Sequence, residues 1–370
     1  MKLKKNHPKY RIIFAGGGTG GHLFPAISVA EKIRELMPDA GILFVGTKDK
    51  IEARVVPQNG FDFKTIWISG LQRRITFKNL MFPLKMITAA IQSLVICIRF
   101  KPQVAIGTGA YVAGPVIWAS SVMGAKIMLL EQNSYPGITN RLLEKSADEI
   151  HISFKDSEKY FRNKSKLKLT GNPIRVNEKV ISKSEVLRTL GLDVSKKTLL
   201  ILGGSLGAGS INNVIADNLN ELMRDKNLQI IWQTGKNYYE ELKKLNAENI
   251  KIMPFIDDMN TVYSCADLII ARAGATTIAE IAALALPVVF VPSPNVAENH
   301  QYKNAKSIQD DDGCVIIKDS EINDRLIFTI KELLINDEKR AQLAANIKKF
   351  SKPDAAQIIA ERAIKLAEAN

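Results

Sequence analysis

The sequence predicts an α/β protein of two domains, each built on a parallel sheet covered by helices. Two observations carry that prediction. Two glycine-rich turns lie almost half the chain apart, each after an apolar run and each opening a helical pattern. Short apolar strands alternate with helices through the first half, and the rhythm restarts in the second, as in parallel sheets covered on both faces. A chain of 370 residues is long enough to bury two such cores.

Taken in order, strands are expected at 11–15, 42–45, 65–68, 104–106, 127–130 and 149–152, with helices at 23–37, 80–98, 112–123 and 138–145. Each strand is a short apolar run, and each helix a longer stretch of mixed periodicity. The second half gives strands at 199–202, 229–233, 250–253, 268–271, 288–291 and 315–317, with helices at 211–223, 238–245, 276–286 and 302–309. The turn signal Gly171-Asn172-Pro173, between polar segments, marks the boundary: a first domain over 1–171 and a second over 172–352. Pro353-Asp354 opens a last helix in 353–370. Whether that helix returns to the first domain is left open by the sequence.

Three scattered cysteines, Cys97, Cys265 and Cys314, form no C-x-x-C, which argues against a disulfide framework or a zinc site. The basic start Met1–Lys5 is followed by an apolar run of only Ile12–Ala15 that feeds into the first glycine turn. It reads as a mature cytosolic start rather than a signal peptide. The net charge of +13 points to nucleic acid, an anionic membrane or phosphorylated substrates. From Phe63 to Leu130 there is no Asp or Glu. Within that stretch Arg73, Arg74, Lys78 and Lys85 are mixed with Ile75, Phe77 and Phe82, the pattern of a surface lying on lipid headgroups. The uncharged run 86–98 is too short for a span and reads equally as a buried helix or a lipid contact. A nucleic-acid groove would interleave its cations with aromatics; this cluster is aliphatic-rich.

The first turn, Gly16-Gly17-Gly18-Thr19-Gly20-Gly21-His22, satisfies G-x-G-x-x-G, but strand 42–45 ends in Gly46-Thr47 without the acid that holds a nicotinamide ribose. A phosphate on the turn and helix N-terminus is the better reading. His22 is either a general base or a residue that hydrogen-bonds the turn. The second turn, Gly203-Gly204-Ser205-Leu206-Gly207, also reads as G-x-S-x-G, with Asp267 and His300 available for a hydrolase triad. A third segment, Arg272–Glu280, opens a helix after strand 268–271. Thr276 and Glu280 share one face of it, so Glu280 either accepts from ribose hydroxyls or is solvated.

With these segments in view, the chain resembles the peptidoglycan glycosyltransferases that add N-acetylglucosamine to lipid I. The resemblance runs nearly the whole length. It is carried by Gly17–His22, Ile68–Leu71, Gly109–Pro115, Glu131-Gln132-Asn133, Gly171–Arg175, Gly203–Ser205, Phe255–Met259, Arg272–Thr276 with Glu280, and His300-Gln301 before Asn304-Ala305. It implies GT-B architecture, two Rossmann-like domains facing across a cleft. It also implies a UDP-N-acetylglucosamine donor contacted by Thr19, Gly20, Gly21, Asn133, Arg175, Ser205, Ile256, Thr276, Glu280 and Gln301. The undecaprenyl-linked acceptor would meet Gly18, Thr19, His22 and Tyr111, with His22 as the first choice of base. The sequence departs from some relatives at Leu206 and His300. The implied reaction inverts configuration, and helix N-termini stabilise the leaving UDP. No cofactor or metal is expected, since Asp310-Asp311-Asp312 reads as a solvated turn rather than a diphosphate-metal site.

Overall fold

The computed structural model describes residues 8–70, 81–175, 182–204 and 206–370. The chain forms two compact units, Met1–Arg175 with Lys352–Asn370, and Val176–Ser351.

In the first unit the strands are β1 (Arg11–Ala15), β2 (Gly41–Gly46), β3 (Asp62–Thr65), β4 (Val104–Gly107), β5 (Lys126–Glu131), β6 (Glu149–Ile152) and β7 (Leu167–Leu169). They form one sheet in the order β3-β2-β1-β4-β5-β6-β7, every neighbouring pair parallel. The helices that matter here are α1 (Gly20–Leu36), α2 (Glu52–Gln58), α3 (Phe82–Phe100), α4 (Ala110–Val122) and α5 (Ile138–Leu143). Side chains alternate along a strand, so Ile12 and Phe14 enter one apolar layer with Leu23, Ile27 and Ile33 of α1. Ile13 and Ala15 enter the opposite layer with Ala89 and Cys97 of α3 and Ile117 of α4.

In the second unit the strands are β8 (Lys197–Leu202), β9 (Leu228–Gln233), β10 (Ile250–Met253), β11 (Leu268–Ala271), β12 (Val288–Phe290) and β13 (Val315–Ile316). Their order is β10-β9-β8-β11-β12-β13, again all parallel. Helices α6 (Gly209–Asp217), α7 (Ala275–Ala283) and α8 (His300–Gln309) follow β8, β11 and β12. In each sheet the strand order reverses once, between β1 and β4 and between β8 and β11. Open sheets bind ligands at such a reversal, beyond the carboxyl ends of the strands. Both glycine turns lie there.

The last helix, α9 (Ala355–Glu368), belongs to the first unit. Ile359, Ala360, Ala363 and Ala367 are buried in the same layer as Ile12 and Phe14, the alanines allowing close approach. Arg362 Nε donates to Glu149 Oε2 at 2.6 Å, and buried His151 lies 3.1 Å from the same oxygen. Burial alone would raise the Glu149 carboxyl; Arg362 and His151 beside it prevail and hold it at about 2.

Several elements depart from the expectation. β3 runs over 62–65, not 65–68, because β2 ends at Gly46, whose carbonyl takes the Ile66 N–H as the last rung (3.0 Å). Ile66 and Ile68 still bury their side chains, but outside the ladder. The helix expected over 211–223 is two, broken at Asn218, whose side chain turns back to the Val214 carbonyl (2.9 Å). Edge strand β7 and helix α2 were not expected at all.

Candidate functional site

The first glycine turn closes over two side chains. A Cβ at Gly16 would fall 1.8 Å from Thr108 Oγ1, and one at Gly17 would fall 2.5 Å from the Glu52 carboxyl carbon. Gly18 adopts φ +79°, in the left-handed region that favours glycine. Glu52, 1% exposed, holds the turn from below. Its Oε2 accepts the Gly18 N–H (2.9 Å), and its Oε1 accepts the Thr47 N–H (3.0 Å) and hydroxyl (2.8 Å). Thr19 is exposed, and its carbonyl accepts the N–H groups of His22 and Leu23. Gly20 and Gly21 open α1, where first-turn N–H groups have no intrahelical partner.

Glu52 was not anticipated, because it lies seven residues beyond Val45, off any motif; the acid next to Thr47 comes from a helix rather than from the strand end. We expect Glu52→Gln to turn an amide N–H toward either the Gly18 or the Thr47 donors. That unmade bond should cost about 1–3 kcal/mol of stability in chemical denaturation. An unchanged denaturation midpoint would remove Glu52 as the anchor of the turn.

His22 begins its helix beside the ends of β4 and β5. Its Nδ1 lies 2.8 Å from the Thr108 carbonyl and 3.1 Å from Gln132 Oε1. A carbonyl oxygen can only accept, so Nδ1 carries the hydrogen of the neutral ring, and Nε2 keeps a lone pair. Gly109, at φ +97°, admits the ring: a Cβ there would sit 3.0 Å from His22 Cε1. The neighbouring Tyr111 ring packs against Gly70, and its hydroxyl, bonded to Thr47, is raised by burial and by the nearby Glu52 charge. Asn133 follows buried Glu131, whose carboxylate accepts from the Asn133 N–H (3.0 Å), the Gly137 N–H (3.0 Å) and Asn140 Nδ2 (2.8 Å). Burial pushes the Glu131 carboxyl up, against those bonds.

In the second unit, Gly204 (φ +78°) and Gly207 (φ +94°) shape the turn after β8; Ser205 between them lies outside the described residues. Ile256 is buried, and its N–H donates to Gln233 Oε1 (2.8 Å). Thr276 lies in the first turn of α7, and Glu280 one turn on. Glu280 accepts from the Tyr263 hydroxyl at 3.1 Å. Burial pushes the Glu280 carboxyl up to about 7, a rise that this bond only partly offsets. Gln301 Oε1 accepts the Ser293 N–H (2.8 Å), which fixes the side chain at the start of α8. Arg272, from the same segment as Thr276, donates to Asp319 Oδ1 (2.7 Å), the Val291 carbonyl (2.9 Å) and Ser210 Oγ (2.9 Å). It ties the ends of β11 and β12 to the start of α6. Asp319 had no sequence signal. Among the described residues, no three metal-ligating side chains come together.

A model of the glycosyltransferase family 28 N-terminal domain matches residues 12–152, and one of the family 28 C-terminal domain matches residues 198–359. The chain belongs to glycosyltransferase family 28. Over 365 residues this family 28 chain is 45% identical to a Flavobacterium psychrophilum protein, covering 97% of this chain and 98% of the relative. A Bacteroides fragilis protein is 42% identical over 366 residues, covering 97% and 96%. Both relatives bear the name UDP-N-acetylglucosamine–N-acetylmuramyl-(pentapeptide) pyrophosphoryl-undecaprenol N-acetylglucosamine transferase. The crystal structure of Acinetobacter baumannii MurG superposes with a TM-score of 0.75 at 26% identity, covering 96% of this chain and 99% of that one.

Family membership and geometry together overturn the hydrolase alternative. Asp267 precedes β11, which runs parallel to β8, so it lies at the end opposite the glycine turn, about 13 Å away by strand rise. There Lys183 Nζ meets both its carboxylate oxygens at 2.7 Å, and the Thr198 N–H donates to it at 2.7 Å.

One expected contact has other partners in the structure. Arg175 closes its guanidinium on Glu31 (2.9 and 2.6 Å) and Asn59 (2.6 Å), beside the middle of α1 rather than its start. The run 86–98 is a helix buried on one side only. α3 buries Ala89, Ser93 and Cys97 and exposes Leu84, Ile87, Ile91, Val95 and Ile98 at helical spacing, Ile87 at 61%. With 19 residues it is long and apolar enough to cross a membrane by length and composition, longer than the uncharged run suggested. Trp118 and Val122 of α4, its packing neighbour, are exposed as well. Lys85 bonds Ser69 Oγ (2.9 Å) and lies 5.6 Å from the Trp67 ring centre; Phe82 is partly exposed at the helix start. Arg73, Arg74, Ile75, Phe77 and Lys78 lie outside the described residues.

Proposed function

We propose that this family 28 enzyme transfers N-acetylglucosamine from UDP-N-acetylglucosamine to the 4-hydroxyl of undecaprenyl-diphospho-N-acetylmuramoyl-pentapeptide, lipid I, at the surface of an anionic membrane. The observation that carries the acceptor half is the His22 ring, committed through Nδ1 and open at Nε2 beside a glycine turn. The relatives' shared name supports the choice of donor and acceptor.

In this reading the second unit holds the donor. Glu280 accepts from the ribose hydroxyls and Thr276 lies beside it. The Ile256 carbonyl, whose N–H is already spent on Gln233, faces the base, and the Ser205 turn with the α6 N-terminus meets the diphosphate. Gln301 offers its amide NH₂ to the sugar. In the first unit Thr19, Gly20 and Gly21 present N–H groups and a hydroxyl to phosphate, Gly18, its own N–H held by Glu52, lets the acceptor approach the turn, and Tyr111 and Asn133 lie nearby. Arg175 would reach the donor only by exchanging Glu31. The acceptor hydroxyl gives its proton to His22 Nε2. Its oxygen attacks the anomeric carbon from the face opposite UDP, the carbon–oxygen bond to UDP breaks, and the α-linked donor becomes a β-1,4 product. The direct test is transfer of labelled N-acetylglucosamine to a water-soluble lipid I analogue, with UDP-glucose and NADH as controls in thermal stabilisation. Transfer from UDP-glucose at an equal rate, or none from UDP-N-acetylglucosamine, would overturn the reading.

The exposed face of α3 supplies the membrane contact, with Lys85 in its first turn and the cations of 73–78 before it in the sequence. Each inserted aliphatic side chain contributes about 1.5–3 kcal/mol and each cation about 1 kcal/mol. Ile87→Glu with Ile91→Glu should therefore cut cosedimentation with phosphatidylglycerol vesicles at least about tenfold and spare activity on the soluble analogue. Equal vesicle binding would show that this face does not meet lipid.

A further inference from the structure

We infer that Gln132 is the positioning residue that sets the protonation and orientation of His22. The inference deepens the reading of His22 as base. Gln132 is 2% exposed, and its two ends are separately engaged. Nε2 donates to the Leu130 carbonyl at 3.2 Å, which leaves Oε1 as the end that faces His22 Nδ1 at 3.1 Å. The residue is held on both sides. Glu131 ties down the Asn133 and Gly137 N–H groups, and Asn140 Nδ2 bridges Glu131 Oε2 (2.8 Å) and the same Leu130 carbonyl (3.0 Å). The chain of contacts runs from α5 through Asn140 and the Gln132 loop to the imidazole.

The chemistry follows from donors and acceptors. Thr108 O and Gln132 Oε1 both accept, so both favour the ring form with hydrogen on Nδ1 and a lone pair on Nε2. Free histidine has no such constraint. An amide oxygen also stabilises the imidazolium that forms when Nε2 takes a proton, without the permanent charge of a carboxylate that would hold the ring protonated beforehand. Glu131 is the titratable neighbour of His22; its carboxyl is fully tied to the loop and stays unchanged in the variants below.

The test uses the full chain, with ¹⁵N-labelled histidine and the four histidines assigned by single substitution. In the wild type His22 should show the Nδ1–H form. In Gln132→Glu the imidazole should titrate about one unit or more higher, because a carboxylate now accepts from Nδ1, and the acid limb of the kcat/KM profile should move up with it. In Gln132→Leu the ring should titrate lower, and kcat should fall about tenfold to a hundredfold with UDP affinity unchanged. Gln132→Leu should have no further effect on kcat in a His22→Ala background. An Nε2–H form in the wild type, an unmoved His22 titration in Gln132→Glu, or full additivity with His22→Ala would overturn the inference. If the titration moves while the kcat/KM limb stays put, the positioning stands and the role of His22 as base falls.

Discussion

Replacing His22 by alanine should lower turnover by about a hundredfold or more while leaving UDP affinity where it was. The argument rests on separation of tasks. His22 sits on the first unit among Thr108, Gln132 and Gly109, and Thr276 and Glu280, which we propose face the nucleotide, sit on the second. With Nδ1 donated to a backbone carbonyl, the ring can accept a proton only at Nε2, so its removal deletes proton transfer and little else. The measurement is kcat at saturating donor and soluble acceptor, beside calorimetric UDP binding on the same preparation. A variant within a few-fold of wild type in turnover would move the base elsewhere, and a loss confined to UDP binding would contradict the assignment of units.

Donor binding should strengthen between pH 6 and 8 and lose that dependence in Glu280→Gln. Burial raises the Glu280 carboxyl from 4.5 to about 7, against the hydrogen bond that the Tyr263 hydroxyl donates to it. At pH 6 the group is mostly protonated and at pH 8 mostly ionised, and ribose hydroxyls donate better to the ion. UDP-N-acetylglucosamine suits the titration because its esterified diphosphate does not change charge in this range. Glu280→Ala should weaken it by about 1.5–3 kcal/mol at pH 8. The stability of the ligand-free protein should respond in the opposite sense. The folded chain keeps a proton that the unfolded chain releases between 4.5 and about 7, so this group's contribution is full below 4.5 and lost as pH rises through 7. A wild-type affinity flat from pH 6 to 8, or a Glu280→Gln variant that still varies, would remove the carboxylate from the donor site.

The sequence made the central strands legible because a parallel strand buried on both faces is apolar throughout. Expected strands 11–15 and 268–271 match β1 and β11 residue for residue. Edge strands were harder: Asp62-Phe63-Lys64-Thr65 and Leu167-Lys168-Leu169 are half solvated and carry no such run. The turns that shape the site were legible because positive φ demands glycine. The side chains that hold those turns were not. Glu52, Thr108, Gln132 and Asp319 act through hydrogen bonds to residues 34 to 110 positions away, and no local spacing encodes such distances. The outward face of α3 was ambiguous for a related reason. Leu84, Ile87, Ile91, Val95 and Ile98 repeat as a core stripe would, and only packing shows that the narrower Ala89–Ser93–Cys97 side is the buried one.

The return of α9 to the first unit has a consequence for the order of synthesis. The second unit is an uninterrupted stretch, Val176–Ser351, and all six of its strands are available once that stretch has been made. The first unit is translated earlier yet lacks Ile359, Ala360, Ala363 and the Arg362 partner of Glu149 until after the second unit is complete. On the ribosome, the domain begun first is finished last, and until then its β1 layer leaves apolar surface open.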